Sequence, residues 1–341
     1  MSIRQIARLS SLSACTVSLA LNNHPKIPVT TRERVQRIAR RIGYRPNAKV
    51  SELMTHIRMA RAEKTGACLG VISLYDSPRP WQNVPHLERI YAGMEQRAGA
   101  LGYRLEPFWL REPGMSVRRF RKILDTRGIQ GLLCFGSPNL EDELPAELKN
   151  YAIVTQGVSI KTSLHRIASN AYNDMWRMLR NVQQLGYQRP GLVLGAYEGQ
   201  RSAHAYLCAY LGWCHLVLGA SPAVPVLQLN QAEEQPLLTW LRKHEPDVMI
   251  FAHHYNVLGE LEDILRRNKF RVPADLGVAV VTQILDGTDF SGLEANPRLV
   301  GEWAVELLVG RIANSDFGFP SHPRVEMVDM QWVEGQSLRR Q

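Results

Sequence analysis

The sequence predicts an α/β protein in two parts, a small all-α head followed by a larger core of parallel sheets. Three observations carry this. Charge is segregated: the net charge of +9 arises in residues 1–64, with 13 Lys/Arg against 3 Asp/Glu, while residues 65–341 hold 28 against 29. Apolar residues recur at helical spacing through residues 3–42. From residue 66, short apolar runs alternate with helical patterns, as expected of strands buried on both faces. At 341 residues the chain is long enough for two or three packing units.

In the head, Ile3, Ile6, Ala7 and Leu9 give one apolar face over residues 3–10. Ser10-Ser11-Leu12-Ser13 is a turn with Leu12 as its buried anchor, and Ser13 can cap the next helix by accepting from a first-turn amide. Val17, Ala20 and Leu21 then face back onto the first helix. Ala14, Cys15, Ser18, Leu19 and Asn22 face outward. Two short helices joined by such a turn form a helix-turn-helix, and the small Ala7 allows a close crossing. A third helix follows Pro28, with Val35, Ile38, Ala39 and Ile42 as its buried stripe and Arg32, Arg34, Arg37, Arg40 and Arg41 mainly on the open side. Gly43 suits the left-handed position that ends it. Asn47 can cap a fourth, short helix carrying Val50, Leu53 and Met54. A compact basic head on a near-neutral body fits a polyanion-binding module.

A competing reading takes Leu12-Ser13-Ala14-Cys15 as a lipoprotein processing site, which would make the chain an extracytoplasmic solute-binding lipoprotein. Such a leader needs about 7–15 apolar residues before the cleavage site. Arg4, Gln5, Arg8, Ser10 and Ser11 interrupt that stretch. No apolar run approaches the roughly 20 residues of a membrane span. The five cysteines are odd in number and include no Cys-x-x-Cys pair, which predicts reduced, mostly buried thiols in a reducing compartment.

In the core, strands are expected at 67–74, 104–110, 129–136, 151–157 and 189–195, and at the ends of the segments 236–254 and 256–281. Helices are expected at 86–103, 116–128, 171–187, 202–213 and 297–313 and at the starts of those two segments, with a last strand and a short tail. No Gly-x-Gly-x-x-Gly or Gly-x-x-x-x-Gly-Lys-Ser/Thr follows a strand, so no nucleotide cofactor is expected. Neither Gly-x-Ser-x-Gly nor His-Glu-x-x-His occurs, and Glu233-Glu234 reads as a solvated loop pair; the chain does not read as an enzyme. Adjacent His253 and His254 on a strand point to opposite faces, so no metal site is expected of them.

Residues 2–58 resemble the DNA-binding head of the lactose-repressor/galactose-repressor (LacI/GalR) family of bacterial transcriptional regulators. The resemblance rests on "IRQIARLSSLSACTVSLALNN", "TRERV" and "GYRPN", in the family's order and separations. It implies that Ala14, Cys15 and Leu19 occupy base-reading positions in the major groove. Ser13, Ser18, Asn22, Thr31 and Tyr44 match positions that hold phosphates, and Thr16 joins this DNA-binding set. It also implies a hinge helix in which Leu53, with Asn47 and Val50, enters the minor groove and wedges a base step. Two residues depart from the pattern. Leu19 stands where many members carry Arg or another polar reader, so it makes no bidentate contact to guanine but can meet a thymine methyl. Ser11 stands where the turn is usually Gly, and a left-handed serine costs on the order of 1 kcal/mol.

The remainder resembles, more loosely, the two-lobed ligand-binding core shared by that family and periplasmic sugar-binding proteins. This implies a helix-turn-helix domain at 1–46, a hinge and linker at 47–65, and a ligand-binding and dimerisation core at 66–341. Its N-lobe would take 66–157 and 284–312, and its C-lobe 158–283 and 313–335. Ligands of open α/β sheets sit at the carboxyl ends of the strands, here facing the interlobe cleft. Candidate lining residues are Tyr75, Asp76, Arg201, His204, His253, His254, Tyr255 and Gln283. His253-His254 replaces the family's usual Asn-Asp, Val281-Thr282-Gln283 replaces Gly-Phe-Asp-Asp, and Arg201 is one residue from the expected arginine. A sugar, a weakly acidic or uncharged molecule, and no effector at all remain open. The resemblance implies a cytoplasmic, homodimeric transcriptional repressor of double-stranded operator DNA, modulated by a small molecule, without cofactor or membrane partner. No leucine heptad closes the chain, so no terminal coiled coil is expected.

Overall fold

Caps and apolar periodicity produce three head helices and a strand–helix core in the computed structural model, which describes residues 2–24, 27–44, 67–219, 224–282 and 287–341. The head consists of α1 (Ile3–Ser10), α2 (Ala14–Leu21) and α3 (Val29–Arg41). Beyond it come β1 (Cys68–Ser73), α4 (Pro85–Ala100), β2 (Arg104–Trp109), α5 (Val117–Thr126), β3 (Gly131–Cys134), β4 (Ala152–Gln156) and β5 (His165–Ser169). Then follow α6 (Ala171–Gln184), β6 (Pro190–Gly195), α7 (Ala196–Arg201), α8 (Ala205–Leu216), β7 (Leu227–Leu229), α9 (Glu234–His244), β8 (Val248–Ala252), α10 (Leu258–Arg267), β9 (Gly277–Thr282) and β10 (Ser291–Glu294). The chain ends with α11 (Pro297–Ala313), β11 (Val325–Val328) and β12 (Gln331–Val333).

Two compact units result. One comprises Met1–Ile167 with Arg298–Val325, the other Ala168–Pro297 with Glu326–Gln341. The expected crossings near 157, 283 and 312 therefore lie later in the chain. The reason is strand pairing: β5 extends the first sheet beyond β4, and β10 pairs with β9 in the second. Both strands are short, and neither is among the expected strands.

In the first unit, Ser2 accepts from the Gln5 amide to start α1, and Ser13 accepts from the Thr16 amide to start α2. Ile6, Ala7, Val17, Ala20, Val35 and Ala39 form the head's core; Ile38 and Ile42 of the expected stripe are only partly covered. Ser11 adopts the left-handed conformation at φ 54°, as its place in the turn requires. The sheet runs β11-β5-β4-β3-β1-β2, with parallel pairing from β5 through β2. On one face Ile72, Leu132 and Ile153 pack against Phe120 and Leu124 of α5. Elsewhere α4 and α11 touch backbone to backbone: a Cβ on Gly93 would lie 2.0 Å from the Arg298 carbonyl oxygen.

The second unit is a three-layer sandwich. Its sheet runs β12-β10-β9-β8-β6-β7, parallel except where β12 pairs antiparallel with β10. Alternate strand residues supply two cores. Leu192, Leu194, Ile250, Ala252, Ala279 and Val281 meet α6 and α8, while Val193, Met249, Phe251, Val278 and Val280 meet α9 and α10. The helix expected at 202–213 starts later, as α8 at Ala205, because Ala203 and His204 take left-handed backbone; the short α7 before it was not expected. Glu233 and Glu234 are not a loose loop pair: Glu234 opens α9 and accepts from the Asn268 side chain at 2.8 Å. Among the described residues no helix is long and apolar enough to cross a membrane.

Candidate nucleic-acid interface and strand-end cluster

The outward face of α2 follows from its cap and its buried side. Val17 and Ala20 are fully buried, which turns Ala14, Ser18, Asn22, Cys15 and Leu19, in that order, around an arc of about 140°. Ser13, Ala14, Cys15 and Asn22 are exposed; Thr16, Ser18, Leu19, Thr31 and Tyr44 are half-buried. The Ser13 hydroxyl accepts from the Thr16 amide at 3.0 Å and lies 2.8 Å from the Thr16 hydroxyl. A small, exposed surface of mixed methyl and hydroxyl groups can approach the edges of base pairs closely. Around it the described head carries a strong surplus of cations. Arg34 is an exception to the open-side expectation, donating to the Ser10 carbonyl at 3.0 Å, and Arg32 donates to the Asn23 carbonyl at 2.9 Å. Both tie α3 to the ends of the first two helices. Beyond α2, His24 is buried and edge-on to Phe317, ring centres 5.0 Å apart. The hinge candidates Asn47, Val50 and Leu53 lie outside the described residues.

In the second unit the parallel strands end in a shared row. Register pairs Leu194 with Ala252 and Ala252 with Val281, so the next step sets Gly195, His253 and Thr282 side by side; Thr282 then pairs with Glu294. Gly195 has no side chain because the Glu198 carboxylate fills that space: a Cβ there would lie 2.1 Å from Glu198 Oε2. His253 stacks on Phe251 and its Nδ1 accepts from the His254 amide at 2.8 Å, with Glu198 Oε2 4.0 Å away. Glu198 Oε2, His253 Nε2 and Thr282 Oγ1 are buried and have no hydrogen-bond partner among the described residues. Burial holds the His253 imidazole below its ordinary range, against the pull of Glu198. Burial, with Arg201 and His253 adding, lowers His254 to about 4.

The strand-end candidates are therefore only partly assembled. His253 sits in the row, and His254 lies beside it, its Nδ1 accepting from the Asn256 amide. Arg201 lies over the Tyr197 ring at 5.5 Å. His204 is exposed at the start of α8, and Tyr255 begins the short 3₁₀ turn Tyr255–Val257. Gln283 lies outside the described residues. In the first unit, the Tyr75 carbonyl accepts from Trp109 Nε1, and exposed Asp76 pairs with Arg111 at 2.8 Å. Glu198 and Thr282 were not expected. Their signal was the register of β6, β8 and β9, which no spacing in the sequence reveals. The five cysteines are all free, but Cys15 and Cys208 are exposed, against the expectation of mostly buried thiols. Among the described residues no cluster of His, Cys, Asp or Glu suits a metal ion.

Comparison with known proteins points one way. Residues 2–47 match the model of the bacterial regulatory proteins of the lacI family. The HTH-type transcriptional repressor CytR of Escherichia coli (strain K12) is 23% identical over 327 residues, 93% of this chain and 91% of CytR. The HTH-type transcriptional regulator AglR of Rhizobium meliloti is 33% identical over 96 residues, 28% of this chain and 24% of AglR. Among solved structures, the transcriptional regulator CelR–cellobiose complex superposes with a TM-score of 0.56 at 16% identity, covering 99% of both chains. The lac repressor dimer bound to operator and the anti-inducer ONPF gives 0.56 at 15% identity, covering 99% of this chain and 98% of that one. These likenesses establish a helix-turn-helix head on a periplasmic-binding-protein-like core.

Proposed function

We propose that this chain, which belongs to the lacI family of bacterial regulatory proteins, is a homodimeric, cytoplasmic transcriptional repressor that binds operator DNA under the control of a small molecule. The observation that carries it is the outward face of α2, capped by Ser13, on a head whose described residues hold seven arginines against one glutamate. Ala14, Cys15 and Leu19 read base edges in the major groove; Ser13, Thr16, Ser18, Asn22, Thr31 and Tyr44 fix register on the backbone. A methyl-rich reading face favours thymine contacts over bidentate recognition of guanine. Asn47, Val50 and Leu53 act in the minor groove. Two-fold symmetry of the dimer is mirrored in a near-palindromic operator. The competing lipoprotein reading loses its basis, since Cys15 lies inside a folded helix of the head.

The effector is a polar small molecule held at the strand ends of the core. Glu198, His253 and Thr282 offer two acceptors and a donor without a hydrogen-bond partner among the described residues, which suits a hydroxyl-bearing ligand such as a carbohydrate. Cellobiose with CelR, and sucrose with a Weissella paramesenteroides regulator of the same fold, support that class. Arg201, His204, His254, Tyr255 and Gln283, with Tyr75 and Asp76, complete the candidate set. A ligand of this kind shifts the head only insofar as it binds one conformation of the core better than another.

Selection of bound fragments from sheared genomic DNA tests the reading. The dimer enriches a near-palindromic site, and its affinity falls linearly with the logarithm of salt concentration, with a slope of about −0.9 per phosphate neutralised. No enrichment over bulk DNA would end the proposal. A thermal-shift panel of mono- and disaccharides tests the effector, with Thr282→Val expected to remove the shift.

A further inference from the structure

We propose that His24 and Phe317 form a brace that fixes the head on its own core with the reading face outward, which makes Phe317 a positioning residue for operator binding. The brace rests on the DNA-binding reading above. Head and first sheet share one compact unit. His24, in the turn after α2, is 7% exposed, and its ring meets the half-buried Phe317 ring edge-on, centres 5.0 Å apart. Each ring stands on a turn that is fixed without the other. On the head side, Asn23 takes left-handed backbone at φ 56°, and the His24 amide donates to the Leu19 carbonyl at 2.9 Å. The Asn23 carbonyl accepts from Arg32 and its side-chain oxygen from Gln36, which ties the turn to α3. On the core side, Phe317 follows α11, and the buried Arg311 grips the residues on both sides of it. Its guanidinium donates to the Asp316 carboxylate at 3.0 Å, to the Gly318 carbonyl at 3.1 Å and to the Ile153 carbonyl of β4 at 2.6 Å.

Two rigid turns that touch through their rings transmit position: the head cannot rotate against the sheet without breaking the contact. The orientation so held is one that can bind. Ser13, Ala14, Cys15 and Asn22 stay exposed while His24 is covered, so the contact leaves the α2 face open. It is also weak enough to release. A cleft of about 380 Å³, lined by Asn22 and Arg32 of the head and Asn314 and Asp316 of the core, reaches Phe317, and so does one of about 190 Å³ beside Tyr151. The rings are thus a point contact and not a sealed interface. Such a pair shifts an equilibrium by about threefold, and the two braces of a dimer by about tenfold. Pre-orientation spares freedom that a loose head would lose on the operator, where both heads must be in register at once. Non-specific attraction to phosphates makes no such demand.

Binding of the full-length chain to the operator fragment enriched from genomic DNA tests the brace, with Phe317→Ala as the variant. Operator affinity is expected to fall about tenfold, while affinity for bulk DNA and the salt slope hold, since no phosphate contact is lost. Phe317→Tyr keeps the ring and is expected to bind within about twofold of the parent. The contact itself is read without DNA. In the histidine-labelled chain, the His24 ring-proton resonance, assigned by its absence in His24→Gln, is expected to move in Phe317→Ala and to hold in Phe317→Tyr. Should Phe317→Ala melt early, His24→Ala probes the same contact from the head side, with the same loss of operator affinity expected. An unmoved resonance, an unchanged operator affinity or a tighter one overturns the proposal. A parent that selects no operator ends the DNA-binding reading and the role of the brace together; an operator bound equally by parent and Phe317→Ala ends the brace alone.

Discussion

The head and the strand-end row present polar groups in opposite ways. In the head, Ser13 and Thr16 satisfy each other one helical turn apart, and the face they frame is open to solvent. In the row, Glu198, His253 and Thr282 come from three stretches of chain, are buried, and leave polar atoms without a partner among the described residues. Exposed, locally satisfied groups tolerate an unoccupied state at little free-energy cost. Buried, unsatisfied ones cost roughly 1–3 kcal/mol each and so favour a ligand or water that completes them. The difference suits the roles proposed for the two regions, a surface that exchanges between many DNA sites and a core that responds to one small molecule.

The sharpest way to separate the two regions is to unfold one alone. Val17 is fully buried in a core of only six buried residues. Val17→Asp places an unpaired carboxylate there, at about 3–5 kcal/mol, more than so small a core supplies. Specific DNA affinity is expected to fall to the non-specific level, roughly 1,000-fold or more, while the core melts as in the parent. If core melting falls as well, the head is not energetically separable.

Proton linkage probes the second unit next. Burial and, secondarily, Asp329 push the Asp174 carboxyl up to about 6, against the Met330 amide and Arg177. The folded state thus keeps a proton that the unfolded chain releases near pH 4. This contribution is present below pH 4 and is lost as pH rises through 6. Asp174→Asn keeps an acceptor for the Met330 amide, so it should melt like the parent at pH 4 and above it at pH 7, by up to about 3 kcal/mol. His254 acts in the other direction: lowered to about 4, it withdraws stability as pH falls from 6.5 toward 4. His254→Gln should flatten that decline by less than the size of the shift implies, because His254 is partly exposed and solvent screens its charge. Melting curves across this range check both, and equal shifts at pH 4 and pH 7 for Asp174→Asn would refute the linkage.

How much of each region was legible in the sequence follows from the same contrast. The head's contacts are local, so helical spacing predicts α1 to α3 and turn chemistry the Ser13 cap, while the left-handed Ser11 follows only from the family resemblance. The row is not local. Gly195, Glu198, His253 and Thr282 meet through strand register, and only His253 could be guessed, from its place after an apolar run. The same limit hid β5 and β7, short strands whose existence depends on a neighbouring edge. It also moved the crossings between units, because β10 joins the second sheet. The break between α7 and α8 was invisible for another reason. Ala203 and His204 adopt left-handed backbone, which alanine and histidine seldom signal.

The smallest expected effect refines the head further. Ser11 holds φ 54° at the end of α1, and the next amide, that of Leu12, donates to the Ala7 carbonyl at 3.0 Å. That closing arrangement favours glycine, which reaches positive φ without a Cβ clash. Ser11→Gly should relieve about 1 kcal/mol of strain, less a few tenths lost to the freer unfolded chain. Since Ser11 lies in the turn and not on the arc from Ala14 to Leu19, operator affinity should hold within about twofold while the head grows more stable. Amide exchange at Val17 and Ala20 in the full-length chain reads this directly, with about threefold slower exchange expected for a gain of roughly 0.6 kcal/mol. Faster exchange at those amides would mean that the serine side chain supports the turn more than its backbone strains it.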